Sequence, residues 1–178
     1  MTVSGEALHA KAQALQLLLF DVDGVLTDGS VHLSGDGSEA KSFWIRDGSA
    51  LVWAQRHGLQ VGLISGRASE ATTRRAAELG IRIVSQGVAD KKDAFGQILA
   101  AHRLEAAHAA YMGDDLMDLP VLTACGLSAA PADAAPEVLS AVDWVSRHGG
   151  GRGAVREFVE LVLRARGRWD AVVAGYRV

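Results

Sequence analysis

The chain is expected to fold as an α/β protein, a Rossmann-like parallel sheet with helices on both faces. Three observations lead there. Short apolar runs of strand character alternate with helical stretches from residue 16 to residue 166, the pattern that crossover helices impose on a parallel sheet. The first run, QLLLFD at 16–21, is apolar from Leu17 to Phe20, as a central strand covered on both faces must be. Gly58 and Gly80 each directly follow a helical stretch, where a left-handed C-terminal cap belongs.

In chain order, strands are expected at 16–21, 59–64, 81–84, 109–112, 126–129 and 142–145. Helices are expected near 48–57, 69–79, 91–103, 116–124, 134–140 and 153–166. The last helix sets Val155, Phe158, Val159, Val162 and Leu163 on one stripe, with Arg164, Arg166 and Arg168 at its C-terminal end, where cations suit the macrodipole. Segment 29–45 breaks the alternation. It reads as two short strands, 30–33 and 40–45, around SGDGS at 34–38, a glycine-rich turn of hairpin length. A lone two-stranded hairpin is marginal in water, so it must lean on its own body or on a neighbouring subunit. Val31, Leu33, Phe43, Trp44 and Ile45 supply the apolar surface.

Composition sets the limits. With 178 residues, 49% hydrophobic and 22% charged, the chain is of ordinary size for one domain (1–178) and buries roughly 70% of its unfolded surface. The one cysteine, Cys125, excludes an intrachain disulfide and a multi-cysteine zinc site. No run approaches the roughly 20 apolar residues of a membrane span, and the N-terminal apolar stretch meets Asp21-Val22-Asp23 without a cleavage site, so no secretory signal is read. A cytoplasmic location is expected. Seven of the 18 basic residues fall in the last 32 positions, but they interleave with apolar residues at helical spacing. That is a docked amphipathic helix rather than a surface for nucleic acid.

The chemistry concentrates at strand ends. Asp21 and Asp23 close the first strand in FDVDGVLTDG (20–29); alternation along an extended backbone projects both to one side, about 6–7 Å apart. Asp114, Asp115 and Asp118 follow another strand in GDDLMD (113–118), with Asp115 placed to cap the next helix and Asp118 one turn along it. Five carboxylates facing one crevice repel one another by several kcal/mol unless a hard cation sits among them. Magnesium suits this oxygen set better than zinc, and the six histidines show no ligand spacing. Ser65-Gly66-Arg67 places a hydroxyl, a free amide and a guanidinium at a strand end, fit to hold phosphate oxygens. Lys91 opens a later helix within reach of the same phosphate.

In this order (Asp-x-Asp, then Ser, then Lys, then the late acidic pair) the sequence resembles the haloacid dehalogenase-like phosphatases. FDVDGVLTDG, ISGR, QGVADK, GDDLMDLPVL and GGRGAVRE carry the resemblance over residues 15–168, and the short length points to a branch without a cap domain. The resemblance implies hydrolysis of a small sugar phosphate, with Asp21 as nucleophile and Asp23 as acid and base. It implies Mg²⁺ held by Asp21, the Asp23 carbonyl and Asp114, with Asp115 or Asp118 steadying it, and phosphate contacts from Ser65, Gly66 and Lys91. Arg46, Arg67 and the tail around Arg177 become candidates for the carboxylate of a sugar acid. Four subunits are expected to join through their hairpins, with a neighbour's surface and tail shaping the pocket.

The chain departs from many relatives in carrying Asp47-Gly48-Ser49-Ala50 where they have Asp-Gly-Tyr-Gly, a difference expected to bear on the fit of the sugar. Two other classes share parts of the pattern. A signalling receiver domain combines acids, Ser or Thr and Lys, but its phospho-accepting aspartate follows the acidic pair. An idle oligomerisation module has no use for Asp23 and Lys91.

Overall fold

The computed structural model describes residues 5–177. Strands β1 (Leu17–Phe20), β4 (Gln60–Ser65), β5 (Ile83–Gln86), β6 (Ala109–Met112), β7 (Leu127–Ala130) and β8 (Trp144–Val145) form one six-stranded parallel sheet in the order β5-β4-β1-β6-β7-β8. The antiparallel pair β2 (His32–Leu33) and β3 (Glu39–Ala40) stands apart. Helices α1 (Gly5–Ala14), α2 (Ile45–Arg56), α3 (Glu70–Glu78), α4 (Lys91–His102), α5 (Leu119–Leu122), α6 (Pro136–Ala141), α7 (Ala154–Ala165) and α8 (Trp169–Ala174) complete the chain.

Alternation along β1 explains the layering. Leu18 and Phe20 enter one core with Leu51 of α2 and Phe158 and Val162 of α7, while Leu17 and Leu19 enter the other with Phe95 and Ile98 of α4 and Val138 of α6. All four β1 side chains are buried, each contributing about 2 kcal/mol. From β1 the chain builds β4 and β5 to one side, then returns to lay β6, β7 and β8 on the other. The reversal leaves a crevice beyond the carboxyl end of β1, the place where open α/β sheets bind ligands. Only the hairpin and α2 separate β1 from β4, and among the described residues no cap covers the crevice.

The sheet and most helices stand where the periodicity places them, and Gly58 and Gly80 have φ of +84° and +70° after α2 and α3, as their cap positions require. The differences have physical causes. The hairpin strands are two residues each, and Ile45 begins α2 instead of prolonging a strand. Asp47 explains this: it is buried in the first turn of α2, where Oδ1 accepts from the Arg156 amide at 2.8 Å and Oδ2 from the Gly153 amide at 3.2 Å. It thus caps α7 from another helix, which draws residues from 45 onward into helical geometry. Segment 116–124 splits into a 3-10 turn, Leu116–Asp118, and the short α5, because Asp115 and Asp118 form a reciprocal capping box.

Strand β8 is shorter than expected because Asp143 leaves the ladder. Its Oδ2 accepts from the Ser128 amide, and its own amide donates to Ser128 Oγ. Two helices escaped the sequence reading. In α1 only Ala12 is buried, and Lys11 pairs with Asp143 at 2.8 Å. The other, α8, is held by aromatic contacts: Trp169 lies edge-on to Trp53, whose Nε1 donates to the Tyr176 hydroxyl at 2.9 Å. No helix among the described residues is long and apolar enough to cross a membrane.

Removing the Asp47 carboxylate leaves two α7 amides without partners. Asp47→Ala is expected to cost roughly 1–3 kcal/mol of stability, read as a lower urea midpoint with unchanged slope; a midpoint equal to wild type would show that Asp47 does not hold α7.

Candidate active site

The crevice at the end of β1 is made by three loops that fit only with glycine between them. The Asp21 amide still donates to Met112 O at 2.9 Å, as if the strand continued. The backbone then turns at Gly24, whose φ is +92° and where a Cβ would stand 2.0 Å from Asp114 Oδ2. From the far side comes Gly150, where a Cβ would stand 1.8 Å from the Gly24 carbonyl oxygen. The loop after β1 is therefore packed against the Asp114 side chain on one side and against the GGRG backbone on the other, and the acids are held close.

Asp118 is the hub. It is fully enclosed, and both oxygens are engaged. Oδ1 accepts from Lys91 Nζ at 2.7 Å and the Tyr111 hydroxyl at 2.6 Å; Oδ2 accepts from the amides of Asp114 at 3.0 Å and Asp115 at 3.2 Å. Lys91, buried at the first position of α4, also lies 2.9 Å from Asp21 Oδ1. Its helix starts there because Asp90 caps it, accepting from the Asp93 amide.

Asp21, Asp114 and Asp118 each bring one oxygen within 4.8 Å of the others'. Asp114 Oδ1 is buried without a hydrogen-bond partner. Burial, reinforced by the Asp118 carboxylate, raises the Asp21 carboxyl to about 6. Burial, with Asp21 and Asp118 beside it, raises Asp114 to about 8. Burial alone would lower the Lys91 ammonium, but Asp21 and Asp118 outweigh it and hold its pKa above the ordinary value, so it stays charged. Tyr111 is pushed well up by burial and then by Asp118, and remains a neutral donor. Three carboxylates against one ammonium leave two negative charges when all are ionised. An oxygen-only donor set of that charge, with a buried oxygen lacking a partner, fits a hard divalent cation; Asp21 and Asp114 are the side chains free to hold it, and Asp118 steadies them.

The remaining residues singled out in the sequence divide in two. Ser65 is buried at the end of β4, its Oγ accepting from the Arg67 amide at 3.3 Å, and Gly66 follows it. Arg67 Nε lies 3.8 Å from Asp23 Oδ2, and its Nη2 donates to Glu39 Oε2 at 2.6 Å. Asp23 itself pairs with Lys41 Nζ at 2.5 Å. Asp115 stands outside the cluster: it is exposed, and its Oδ1 accepts from the Leu116 amide. Arg46 is exposed and lines a separate cleft with Trp44, His148, Arg152 and Arg156. Arg177 is exposed next to Tyr176, whose ring meets Trp53 of α2 edge-on. Ser49, at the departure from the Asp-Gly-Tyr-Gly pattern, shares a lateral cleft with Trp53, Arg75 and Tyr176, so within one chain that difference faces the tail.

Sequence reasoning missed Tyr111, Glu39 and Lys41. Tyr111 reads as one more apolar strand residue. Lys41 had a faint signal, an ammonium two residues before the apolar pair Phe43-Trp44.

The raised carboxyls have a measurable consequence. A folded pKa above the unfolded one stabilises the protein at low pH, and that contribution is lost progressively as pH rises from the ordinary carboxyl value of 3.8 through about 6 for Asp21 and about 8 for Asp114. In chelator the melting temperature is expected to fall across this window, and magnesium to restore it by an increment that grows with pH. Asp114→Asn should flatten both responses. A magnesium increment of equal size at pH 5 and pH 8 would remove these carboxyls from the metal site.

Residues 68–158 match the family described as haloacid dehalogenase-like hydrolase. The chain is 43% identical over 161 residues to the 3-deoxy-D-manno-octulosonate 8-phosphate phosphatase of Escherichia coli K12, covering 90% of this chain and 86% of that protein. Among solved structures, the same-named phosphatase of Moraxella catarrhalis, in complex with magnesium, phosphate and KDO, superposes with a TM-score of 0.95 at 35% identity, covering 97% of this chain and 99% of the other. The cobalt-bound phosphatase of Haemophilus influenzae superposes with a TM-score of 0.88 at 40% identity, over 90% and 94% of the two chains. With the crevice, the acid order and these likenesses in agreement along the chain, this protein belongs to the haloacid dehalogenase-like hydrolases.

Proposed function

We propose that the protein hydrolyses 3-deoxy-D-manno-octulosonate 8-phosphate to the free sugar acid and phosphate, with Mg²⁺ as cofactor, in lipopolysaccharide synthesis. The observation that carries the reaction class is buried Lys91 paired with both Asp21 and Asp118 at the carboxyl end of β1, where Asp23 follows Asp21 two residues later. The substrate rests on the two phosphatases that match along nearly the whole chain.

In this reading Asp21 attacks phosphorus and forms an aspartyl-phosphate, dividing one hard displacement into two easier ones. Asp23 gives its proton to the sugar oxygen as the phosphorus–oxygen bond breaks. It then takes a proton from the water that attacks the phosphoenzyme and releases phosphate and free Asp21. Lys91 is held charged between Asp21 and Asp118 and neutralises phosphate oxygens as charge moves through the transition state. Ser65 Oγ and the Gly66 amide supply donors from the adjacent strand. Asp21, Asp114 and the Asp23 carbonyl would hold Mg²⁺, which would supply positive charge to the phosphoryl oxygens. Asp118 acts through the others, fixing Lys91 and the Asp114 backbone.

The chain works as one catalytic unit in the cytoplasm. Its hairpin region exposes Leu33, Trp44 and Ile45, apolar surface of the kind that subunit contacts cover, and a homotetramer joined there would also close the open crevice. Light scattering on the purified protein tests this, and a monomer at micromolar concentration would exclude it.

Asp21→Asn is expected to abolish turnover. Asp23→Asn is expected to form the covalent species but release it at least about a hundredfold more slowly, seen as trapped phosphoenzyme by mass spectrometry. For the substrate, kcat/KM on the octulosonate 8-phosphate should exceed that on a nine-carbon sialic-type 9-phosphate; the reverse order would overturn the assignment.

A further inference from the structure

The hairpin brings a charge into the crevice. Lys41 follows β3, and its side chain is wholly enclosed although the hairpin tip is exposed. Its Nζ lies 2.5 Å from Asp23 Oδ1 and 3.5 Å from Glu39 Oε1. Arg67 closes the circuit from the loop after β4, with Nη2 2.6 Å from Glu39 Oε2 and Nε 3.8 Å from Asp23 Oδ2. Two cations and two carboxylates thus alternate around a ring drawn from three separate segments. An enclosed ammonium is retained only where its partners offset the loss of water, so this ring fixes the side chains it contains.

The ring makes the two oxygens of Asp23 unequal. Oδ1 takes the Lys41 ammonium, whereas Oδ2 is buried with no hydrogen-bond partner. A carboxylate able to rotate about its last torsion presents either oxygen; one clamped at Oδ1 presents a single oxygen in a fixed direction. We propose that Lys41 is a positioning residue for Asp23, clamping Oδ1 so that Oδ2 faces the ester and then the attacking water, with Glu39 fixing Lys41 in turn. This rests on the reading of Asp23 as the proton carrier. It makes the hairpin part of the reacting site, over and above any contact it makes with another subunit.

A clamp predicts a particular kinetic pattern. Lys41→Met is expected to lower kcat about tenfold to a hundredfold while leaving KM within about threefold. Lys41→Arg, which keeps the charge, should recover part of the loss. With 4-nitrophenyl phosphate, whose leaving group needs no proton, Lys41→Met should release one equivalent of nitrophenolate in a burst and then turn over slowly, because the water step still needs an oriented Asp23. A kcat within twofold of wild type, a raised KM at unchanged kcat, or an equal loss without a burst would each overturn the inference. If Lys41→Met does not fold, Lys41→Arg and Glu39→Gln decide: both must lower kcat with KM held, or the inference fails. Asp23→Asn, run alongside, separates the layers. If it turns over normally, the proton-carrier reading itself is wrong; if it stalls while the Lys41 variants do not, only the clamp is wrong.

Discussion

Three carboxylates enclosed in one hollow with a single ammonium is an arrangement no isolated segment would tolerate, and the rest of the molecule is arranged around it. Asp118 has no free lone pair left: Lys91 and Tyr111 take one oxygen and two backbone amides the other. That satisfies the most buried acid; burial first, and then the charge of the neighbouring carboxylates, makes Asp21 and Asp114 hold their protons far above the ordinary carboxylate range. The hollow is therefore prepared for positive charge. In the proposed reaction a divalent ion and the lysine together would balance it, and an incoming phosphate would meet charges already fixed in place, so that little reorganisation would be needed.

Holding such a cluster requires a rigid frame, and the sheet provides one. Asp21 extends the central strand, Ser65 ends its neighbour on one side, and Tyr111 lies in its neighbour on the other. All three are bound to a ladder buried on both faces, so their separations are set by strand spacing rather than by loops. Glycines at 24 and 150 let the connecting loops approach closely enough to bring in Asp114 and the GGRG segment. Asp47 serves this frame from outside the site, tying α2 to the start of α7 just beyond that segment. The hairpin is different in kind. Its two short strands have little core of their own, and its attachment near the crevice is the ionic ring through Lys41, Glu39 and Arg67. An element held this way can be influenced by whatever covers its exposed apolar residues.

Much of this was written in the chain order. Alternating apolar runs gave the parallel sheet, because strands buried on both faces and helices docked on one face demand different spacings of apolar residues. Asp21, Asp23, Ser65, Lys91, Asp114 and Asp118 were legible because each follows a strand, and the ends of parallel strands lie along one edge. The misreadings came where a distant partner overrode local pattern. Residues 43–45 look like a strand until Asp47 is needed by α7; α1 offers too few apolar residues to announce itself; α8 exists because Trp169 and Tyr176 find Trp53.

By itself, then, the sequence determined which chemical groups are present, which strands carry them and that they gather at one edge, since those facts follow from periodicity and order. Only the tertiary structure decided what each group does there. It separated Asp114, with an oxygen free for a cation, from Asp118, whose oxygens are spent, and from Asp115, which faces outward. It also turned Lys41 inward onto Asp23 while leaving Arg46 outside. Direction and solvent exposure depend on packing between remote segments, and no pattern of neighbouring residues encodes them.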